Sequence, residues 1–402
     1  MSLTSQPSFL HRAAFRATYL LIIALFLCAP MPVSLFAGAA PPAPLGKKLI
    51  EYGWDVPTPA QMRDELASME KRPFDGVIFR LAAGHNAFLT KPLESAAFAE
   101  DDRILRNLQF TRFRDNFVLV WGSPPPDFDW FNDTQWTAIE GNARLLVGIA
   151  QAGHVQGICF DPEPYDFSLW NYAKQPQTNS HTFAEYRAKV RQRGAQLMRA
   201  FEKSMPGASI LTFFHVSLFD RFVTLSDSER AERLLRDGWG LMPDFFIGML
   251  EAASPKARFI DGNENAYYYT SREQYFRAYH AIRQRARGLV PAELRDKYDR
   301  QVQAGQALYV DQNFALRQPN TEKYLSSRMI PEERARWFEH NTYWALYTTD
   351  EYVWCYSERM NWWKNQTPPG LESAIVSARQ KIAEGKPLDI DIEPLISAAG
   401  KR

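Results

Sequence analysis

A short segment of this chain places two carboxylates where a buried strand is predicted to end. The run from Gly157 to Phe160 is apolar, and Asp161, Pro162 and Glu163 follow it directly. Proline cannot continue a central strand and a strand interior excludes charge, so both carboxylates are predicted to lie at the C-terminal edge of the strand. Alternating side chains share a face, and two carboxylates on one face are suited to general acid and base chemistry.

Other predicted strands end in carboxylates, aromatic residues or basic residues. If the strands are parallel neighbours, these side chains converge on one mouth. The candidate catalytic residues are Asp161, Glu163 and Glu251, the last of which ends the sixth predicted strand. The candidate substrate-binding residues are Trp54, Asp55, Arg80, Trp121, Tyr165, His215, Asp311, Trp354, Glu358 and Trp362.

Eight apolar runs that alternate with helical patterns must position these residues. The predicted strands are Lys48–Asp55, Asp75–Leu81, Asn116–Gly122, Val155–Asp161, Ser209–Ser217, Asp244–Ala252, Ala307–Asn313 and Glu351–Glu358. Strands separated by helical crossovers indicate parallel βαβ units, and eight of them predict an α/β fold, a (β/α)8 TIM barrel with enlarged βα loops. We expect the barrel over residues 40–386 and a C-terminal tail over residues 387–402. The triple tyrosine that starts at Tyr267 is expected to begin the sixth helix and pack it.

The N-terminus has the pattern of a targeting segment. Arg12 and Arg16 precede an apolar run from Tyr19 to Leu27, and small residues follow near Ala39. This pattern predicts a signal peptide over residues 1–39 and a secreted or periplasmic protein without stable membrane insertion after cleavage. An uncleaved membrane anchor is the alternative interpretation.

Composition excludes several classes of function. The 402 residues carry a formal net charge of +1 and no marked basic run, so binding to nucleic acid has no electrostatic support. The two cysteines beyond the predicted signal peptide, Cys159 and Cys355, lie inside predicted strands, which argues against a disulfide framework. The first strand-to-helix turn lacks a glycine-rich phosphate loop, and we expect no cofactor and no metal.

The predicted mouth fits a carbohydrate substrate. Sugar rings stack on Trp and Tyr, and cleavage of a glycosidic bond requires one carboxylic acid and one carboxylate. With Asp161 and Glu163 closing strand four, Glu251 closing strand six and an aromatic mouth, the chain resembles the TIM-barrel glycoside hydrolases in a broad, superfamily sense. The resemblance implies a catalytic pair formed by Asp161 or Glu163 with Glu251. The Asn-Glu pair of the largest clan is absent from strand four, and Asp311 replaces the glutamate that would end strand seven.

Two other functions remain open at this point. Asp161, Glu163, His215, Glu251 and Asp311 are residue types that bind Mg²⁺ or Mn²⁺, as in a metal-dependent sugar isomerase or hydrolase. The first strand lacks the His-x-His motif of barrel metallohydrolases, which argues against that version. The second alternative is a barrel without catalysis that binds glycans through its aromatic mouth.

Overall fold

The computed structural model describes residues 46–317 and 324–401, and the predicted signal peptide lies outside this part of the chain. The described residues form an α/β fold. The strands are β1 (Lys48–Gly53), β2 (Gly76–Phe79), β3 (Phe117–Trp121), β4 (Gly157–Asp161), β5 (Ser209–Thr212), β6 (Arg258–Asp261), β7 (Val302–Ala304), β8 (Gln306–Tyr309) and β9 (Tyr352–Ser357). The helices are α1 (Pro59–Met69), α2 (Ala99–Leu105), α3 (Asp133–Gln151), α4 (Phe183–Ser204), α5 (Asp227–Arg236), α6 (Met242–Ala252), α7 (Arg272–His280), α8 (Arg295–Gln301), α9 (Val310–Phe314), α10 (Pro331–Thr348), α11 (Leu371–Ala383) and α12 (Glu393–Lys401).

The strands form a nearly closed barrel in which every pair of neighbours is parallel. Their order is β7-β6-β5-β4-β3-β2-β1-β9-β8. Only Gly305 separates β7 from β8 in the chain, so the two ends of this order meet. The parallel α/β architecture predicted from the sequence is therefore confirmed, and the C-terminal ends of the strands surround one mouth.

The interruption between β7 and β8 explains why the structure has nine strands where the sequence predicted eight. Gly305 donates its N–H to the carbonyl of Asp261 at 2.8 Å. A Cβ on residue 305 would lie 2.8 Å from the same oxygen, so the chain approaches β6 more closely than other residues allow. The predicted strand Ala307–Asn313 also ends early, because the chain turns into α9 after Tyr309.

The predicted strand Asp244–Ala252 is wrong, because these residues belong to α6. This helix has Pro243 in its first turn, where a missing N–H does no harm. Its residues from Phe245 to Leu250 are all buried, and this part of the sequence is continuously apolar. Apolar content alone does not distinguish such a helix from a buried strand. The strand at this position of the barrel is β6, which the sequence pattern did not predict.

Two glycines allow α6 to pack directly on α4. A Cβ on Gly194 would lie 2.0 Å from the carbonyl oxygen of Phe245, and one on Gly248 would lie 1.9 Å from that of Arg191. The two backbones therefore touch at two points. This contact holds α6 beside α4 in the outer layer, where Phe245 of α6 and Phe201 of α4 both pack on Phe160 of β4.

Aromatic rings fill the barrel interior below the mouth. Trp354 stacks on Phe213 with 4.6 Å between ring centroids, and Tyr52 lies 5.3 Å from Phe213. The C-terminal segment forms a small separate cluster, in which Ala399 of α12 packs with Trp337 of α10. Over the part of the chain that the structure describes, none of the helices combines the length and apolarity needed to cross a membrane.

Candidate active site

The mouth of the barrel contains a cavity of about 290 Å³, which we call the mouth pocket. Its volume lies just below the ~300–1,000 Å³ typical of ligand pockets. Three carboxylates, one arginine and eight aromatic side chains line it. The lining residues are Tyr52, Trp54, Glu163, Tyr165, Phe213, Glu264, Tyr267, Tyr268, Tyr309, Arg317, Tyr356 and Glu358. Six strands or the loops after them supply these residues, as expected for the C-terminal face of a barrel.

The end of β4 forms a compact group of hydrogen bonds. Asp161 is fully buried beneath the pocket and accepts the backbone N–H of Glu163 at 2.9 Å. The hydroxyl of Tyr165 lies 2.9 Å from Oδ2 of Asp161 and 2.6 Å from Oε2 of Glu163. The structure thus brings together Asp161, Glu163 and Tyr165, as the spacing of these residues in the sequence predicts.

Within this group, the buried carboxyl group of Asp161 favours its protonated form. Burial raises the pKa of Asp161 well above its usual range, and the charge of Glu163 raises it further. A protonated Asp161 donates to the hydroxyl oxygen of Tyr165, whose single proton is then donated to Glu163. The hydroxyl of Tyr165 thereby orients the carboxylate of Glu163.

A tight turn after β6 brings Glu264 to the mouth. Gly262 permits the turn, because a Cβ there would lie 2.5 Å from the carbonyl oxygen of Thr212. Asn263 has a left-handed backbone conformation with φ 45°, which asparagine tolerates better than most residues. Its side-chain amide donates to Oε1 of Gln306 at 2.7 Å, which anchors the turn.

The carboxyl group of Glu264 is electrostatically coupled to Glu163. Burial raises the pKa of Glu264 to about 7, and the charge of Glu163 contributes to the increase. Glu264 is absent from the predicted site residues because the sequence pattern did not predict β6. The available signal was the short apolar pair Phe259-Ile260 followed by Asp261-Gly262, a dipeptide typical of turns.

A third carboxylate, Glu358, lies on the loop after β9. Tyr309 donates its hydroxyl to this carboxylate at 3.0 Å, and Arg317 forms an ion pair with it at 3.8 Å. Asp311 is buried behind the loop and accepts the backbone N–H groups of Glu358 and Arg359 at 2.8 and 3.0 Å. Glu358 therefore faces the pocket as predicted, whereas Asp311 positions the loop from behind.

Tyrosine rings form much of the pocket wall. The ring of Tyr267 lies nearly parallel to that of Tyr356, with 5.6 Å between centroids, and stacks on Tyr309 at 4.7 Å. Tyr267 belongs to a short 3₁₀ helix, Glu264–Tyr268, that follows β6. The tyrosine run was expected to begin and pack a helix. Two of its three members instead line the mouth, because the turn at residue 263 directs this segment over the barrel.

Three aromatic side chains surround the opening and face solvent. Trp54, Tyr165 and Tyr268 are 62%, 52% and 57% exposed. The guanidinium of Arg359 lies over the Trp54 ring at 5.0 Å and holds it in place. An exposed aromatic rim around a carboxylate-lined pocket provides flat apolar surfaces beside strong hydrogen-bond acceptors.

Glu251, a candidate catalytic residue, lies away from the mouth. It is near the C-terminal end of α6, and its half-exposed carboxylate pairs with Nε of Arg191 at 2.9 Å. The expectation depended on a strand that is a helix in the structure. The corresponding carboxylate at the true sixth strand end is Glu264.

Three other candidates lie in the outer layer of the fold. His215 packs against Phe246, with 4.4 Å between ring centroids, and burial lowers its pKa to about 3. Trp362 was expected to contribute to the mouth, but it is buried against Phe74. Asp55 causes this placement, because its carboxylate accepts the backbone N–H of Trp362 at 2.7 Å.

The remaining candidates do not line the mouth pocket. Trp354 lies in the barrel interior and donates its indole N–H to the carbonyl of Gly262 at 2.8 Å. Trp121 lies behind Tyr165, at 5.1 Å between ring centroids. Arg80 lies beside His85, whose pKa falls to about 4 through burial and the charge of Arg80. Within the described residues, no group of three or more His, Cys, Asp and Glu side chains is arranged as a metal site.

No protein-family model matches the chain, and no curated protein sequence matches it. The crystal structure of a glucosidase from Croceicoccus marinus is similar to this chain, with a TM-score of 0.39 and 10% sequence identity. The alignment covers 85% of this chain and 68% of the glucosidase chain.

Proposed function

We propose that this protein is a glycoside hydrolase-like enzyme that cleaves glycosidic bonds of a poly- or oligosaccharide, with Glu163 and Glu264 as its working carboxylates. One observation carries the proposal: the two carboxyl groups line one pocket, and the charge of Glu163 helps to raise the pKa of Glu264 to about 7. Glycosidic cleavage requires one protonated and one ionised carboxyl group beside the scissile bond. Neighbouring carboxyl groups whose protonation states differ meet that requirement.

The two carboxylates take different roles in this proposal. Glu264 is the general acid, because it keeps its proton up to about pH 7 and donates it to the leaving oxygen. Glu163 is the nucleophile or the base, because the hydroxyl of Tyr165 donates to it at 2.6 Å and orients its carboxylate in the pocket. Asp161 is a positioning residue that acts on Glu163 through Tyr165.

The pocket wall supplies the contacts that a sugar needs. The half-buried ring of Tyr356 offers apolar surface to the sugar ring, and Glu358 offers acceptors to its hydroxyl groups. Trp54 and Tyr268 at the rim are placed to stack on further sugar units outside the pocket. Burial of a flat apolar sugar face on such rings contributes in proportion to the area removed from water.

Two parts of the proposal concern the protein as a whole. We count β7, Gly305 and β8 as one interrupted strand, which makes the barrel a (β/α)8 barrel with enlarged loops. We also propose that the enzyme acts outside the cytoplasm, on the pattern of residues 1–39. Cell fractionation tests this second part, and absence of the protein from both the medium and the periplasm contradicts it. N-terminal sequencing of the exported protein tests cleavage after residue 39.

The test of the proposed function is a screen of poly- and oligosaccharides for release of reducing ends. We expect turnover on at least one glycan by the wild-type protein, and loss of turnover by about 10²- to 10⁴-fold in the Glu264→Gln variant. The matched control is Glu251→Gln, which removes a charge from a surface ion pair and should change turnover by less than about twofold.

The outcomes separate the proposal from its alternatives. Glycan binding without turnover, unchanged by Glu264→Gln, would indicate a binding module. Turnover that is lost on chelation and restored by a divalent ion would indicate a metal-dependent enzyme. Equal turnover of the Glu264→Gln and Glu251→Gln variants would remove Glu264 from the mechanism.

A further inference from the structure

A second cavity lies in the outer layer of the fold and shares no lining residue with the mouth pocket. It is enclosed by α4, α5, α6 and residues 288–295, and its volume is about 520 Å³. Its lining contains four arginines and two aspartates, so its charge is opposite in sign to that of the mouth pocket. The charged lining residues are Arg187, Arg191, Arg230, Arg295, Asp227 and Asp244. We call it the arginine cavity.

Carboxylates of the cavity lining form ion pairs with two of these arginines. Arg187 forms a bidentate pair with the buried carboxylate of Asp244, at 2.7 and 3.2 Å. Arg230 pairs with Asp227 at 3.2 Å and also donates to the backbone carbonyl of Leu225 at 3.0 Å. Both aspartates of the lining are therefore used within the cavity wall.

The other two arginines retain unused donors. Arg295 donates Nε–H to the carbonyl of Val290 at 3.1 Å, and no carboxylate of the described residues forms an ion pair with it. Arg191 donates its Nε–H to the carboxylate of Glu251, a residue outside the cavity lining. Among the described residues, neither terminal guanidinium nitrogen of Arg191 or Arg295 has an acceptor. Such free guanidinium edges match the oxygens of carboxylate, sulfate or phosphate groups.

The rest of the cavity wall is apolar. Leu234, Ile247 and Val290 are buried side chains that line the same space. A volume of about 520 Å³ exceeds what a bare inorganic anion fills and falls within the ~300–1,000 Å³ of small-molecule pockets. A ligand that satisfies both parts of the wall therefore has an oxyanion at one end and an apolar body.

We propose that the arginine cavity binds a small organic oxyanion. Arg191 and Arg295 hold the charged group, and the body of the ligand packs on Leu234, Ile247 and Val290. This site is separate from the mouth pocket and does not depend on the proposed glycosidic cleavage. It gives the protein a place where an anionic metabolite can bind while a glycan occupies the mouth.

Isothermal titration calorimetry at constant ionic strength tests the proposal with phenyl phosphate, inorganic phosphate and the neutral benzyl alcohol. We expect saturable binding of one phenyl phosphate per chain, weaker binding of inorganic phosphate and none of benzyl alcohol. Arg295→Ala and, independently, Arg191→Ala should each weaken phenyl phosphate binding by about tenfold or more. The matched control is Arg236→Ala on α5, an exposed arginine outside the lining, which should bind as the wild type does.

Each result decides part of the proposal. Absence of saturable binding by the wild type, or wild-type affinity in both Arg295→Ala and Arg191→Ala, would overturn the site. Equal affinities for the two phosphates would overturn the assignment of an organic ligand. Circular dichroism and thermal unfolding of each variant separate a loss of binding from a loss of fold.

Discussion

The ends of β4 and β6 have similar sequences, but their aspartates point to opposite faces of the sheet. Each strand ends in a fully buried aspartate, Asp161 or Asp261, and a glutamate follows in the next loop, Glu163 or Glu264. Asp161 faces the mouth. Asp261 instead accepts a hydrogen bond from Ser217 in the outer layer of the fold.

The register of the sheet explains why the two aspartates point in opposite directions. Phe160, Thr212 and Asp261 are register neighbours across β4, β5 and β6, so they share a face. Phe160 packs on Phe245 of α6, which identifies this face as the outer one. Asp161 is one residue further along β4 and therefore points inward.

The two strand ends place their glutamates in one pocket, although the preceding aspartates point to opposite faces of the sheet. After the inward Asp161, one intervening residue places Glu163 on the same side. After the outward Asp261, the chain needs two intervening residues and a left-handed turn at Asn263 to bring Glu264 inward. The sequence motif is therefore not sufficient to assign a role, because the role depends on which face the aspartate occupies.

The largest effects should come from the two glutamates, and they should differ in kind. We expect Glu163→Gln and Glu264→Gln each to lower kcat on a natural glycan by about 10²- to 10⁴-fold. On an aryl glycoside with a good leaving group, Glu264→Gln should regain much of its rate, because that bond needs little help from an acid. Glu163→Gln should stay slow on both substrates. Equal recovery of both variants would contradict the division of roles between the two strand ends.

The inward aspartate should matter next. Asp161→Asn and Tyr165→Phe each remove a hydrogen-bonding group that acts on Glu163, so we expect kcat to fall by about 10- to 100-fold with little change in KM. Asp261→Asn is the matched control on the outer face and should leave kcat within about threefold. The pH profile of Tyr165→Phe provides a second readout, because a merely structural role would not shift it. An Asp261→Asn variant as slow as Asp161→Asn would contradict the different roles of the two aspartates.

The pH dependence of turnover should identify the acid. Because the pKa of Glu264 is raised to about 7, its acid form is lost above that pH, and kcat/KM should fall about tenfold per pH unit there. ¹³C NMR of the glutamate carboxyl groups measures the same pKa directly, with Glu264→Gln to assign the signal. In Glu163→Gln the neighbouring charge is absent, so the Glu264 signal should titrate at a lower pH. An unchanged midpoint would show that the two groups are not coupled.

The end of β4 could be predicted from the sequence, whereas the end of β6 could not. The end of β4 was readable because a proline follows a compact apolar run and marks where the strand stops. The end of β6 was hidden, since Arg258–Asp261 is only four residues long and a longer apolar run precedes it at α6. Only the tertiary packing of α6 on α4 shows that the longer run is a helix.

Side-chain direction was the second limit. Alternation correctly placed Asp161 and Glu163 together, because both lie at one strand end. It could not place Trp362, whose burial follows from the hydrogen bond between its N–H and Asp55, more than 300 residues earlier in the chain. Contacts of this sequence separation leave no periodic signal.

The outward aspartate should affect stability instead of turnover. Burial raises the pKa of Asp261 from 3.8 to about 6, so the folded state holds a proton that the unfolded chain has lost between these values. The free energy of unfolding of the wild type therefore falls as pH rises from about 4 to 6, by roughly 3 kcal/mol from this group. The Asp261→Asn variant has no carboxyl group to titrate at this position. Its free energy of unfolding relative to that of the wild type should therefore increase over the same pH range. Urea unfolding at pH 4 and pH 7 measures the difference, and parallel pH dependence of the two proteins would contradict it.

The smallest effect should come from the turn that compensates for the outward aspartate. Asn263→Ala and Asn263→Gly both remove the amide that donates to Gln306, but only glycine accepts the left-handed backbone without strain. The alanine variant should therefore be less stable than the glycine variant by about 1 kcal/mol. It should also have the lower kcat, because relief of the strain moves Glu264 out of the pocket. If the two variants were equal in stability and kcat, the backbone conformation at residue 263 would not be what carries Glu264 from the outward register to the mouth.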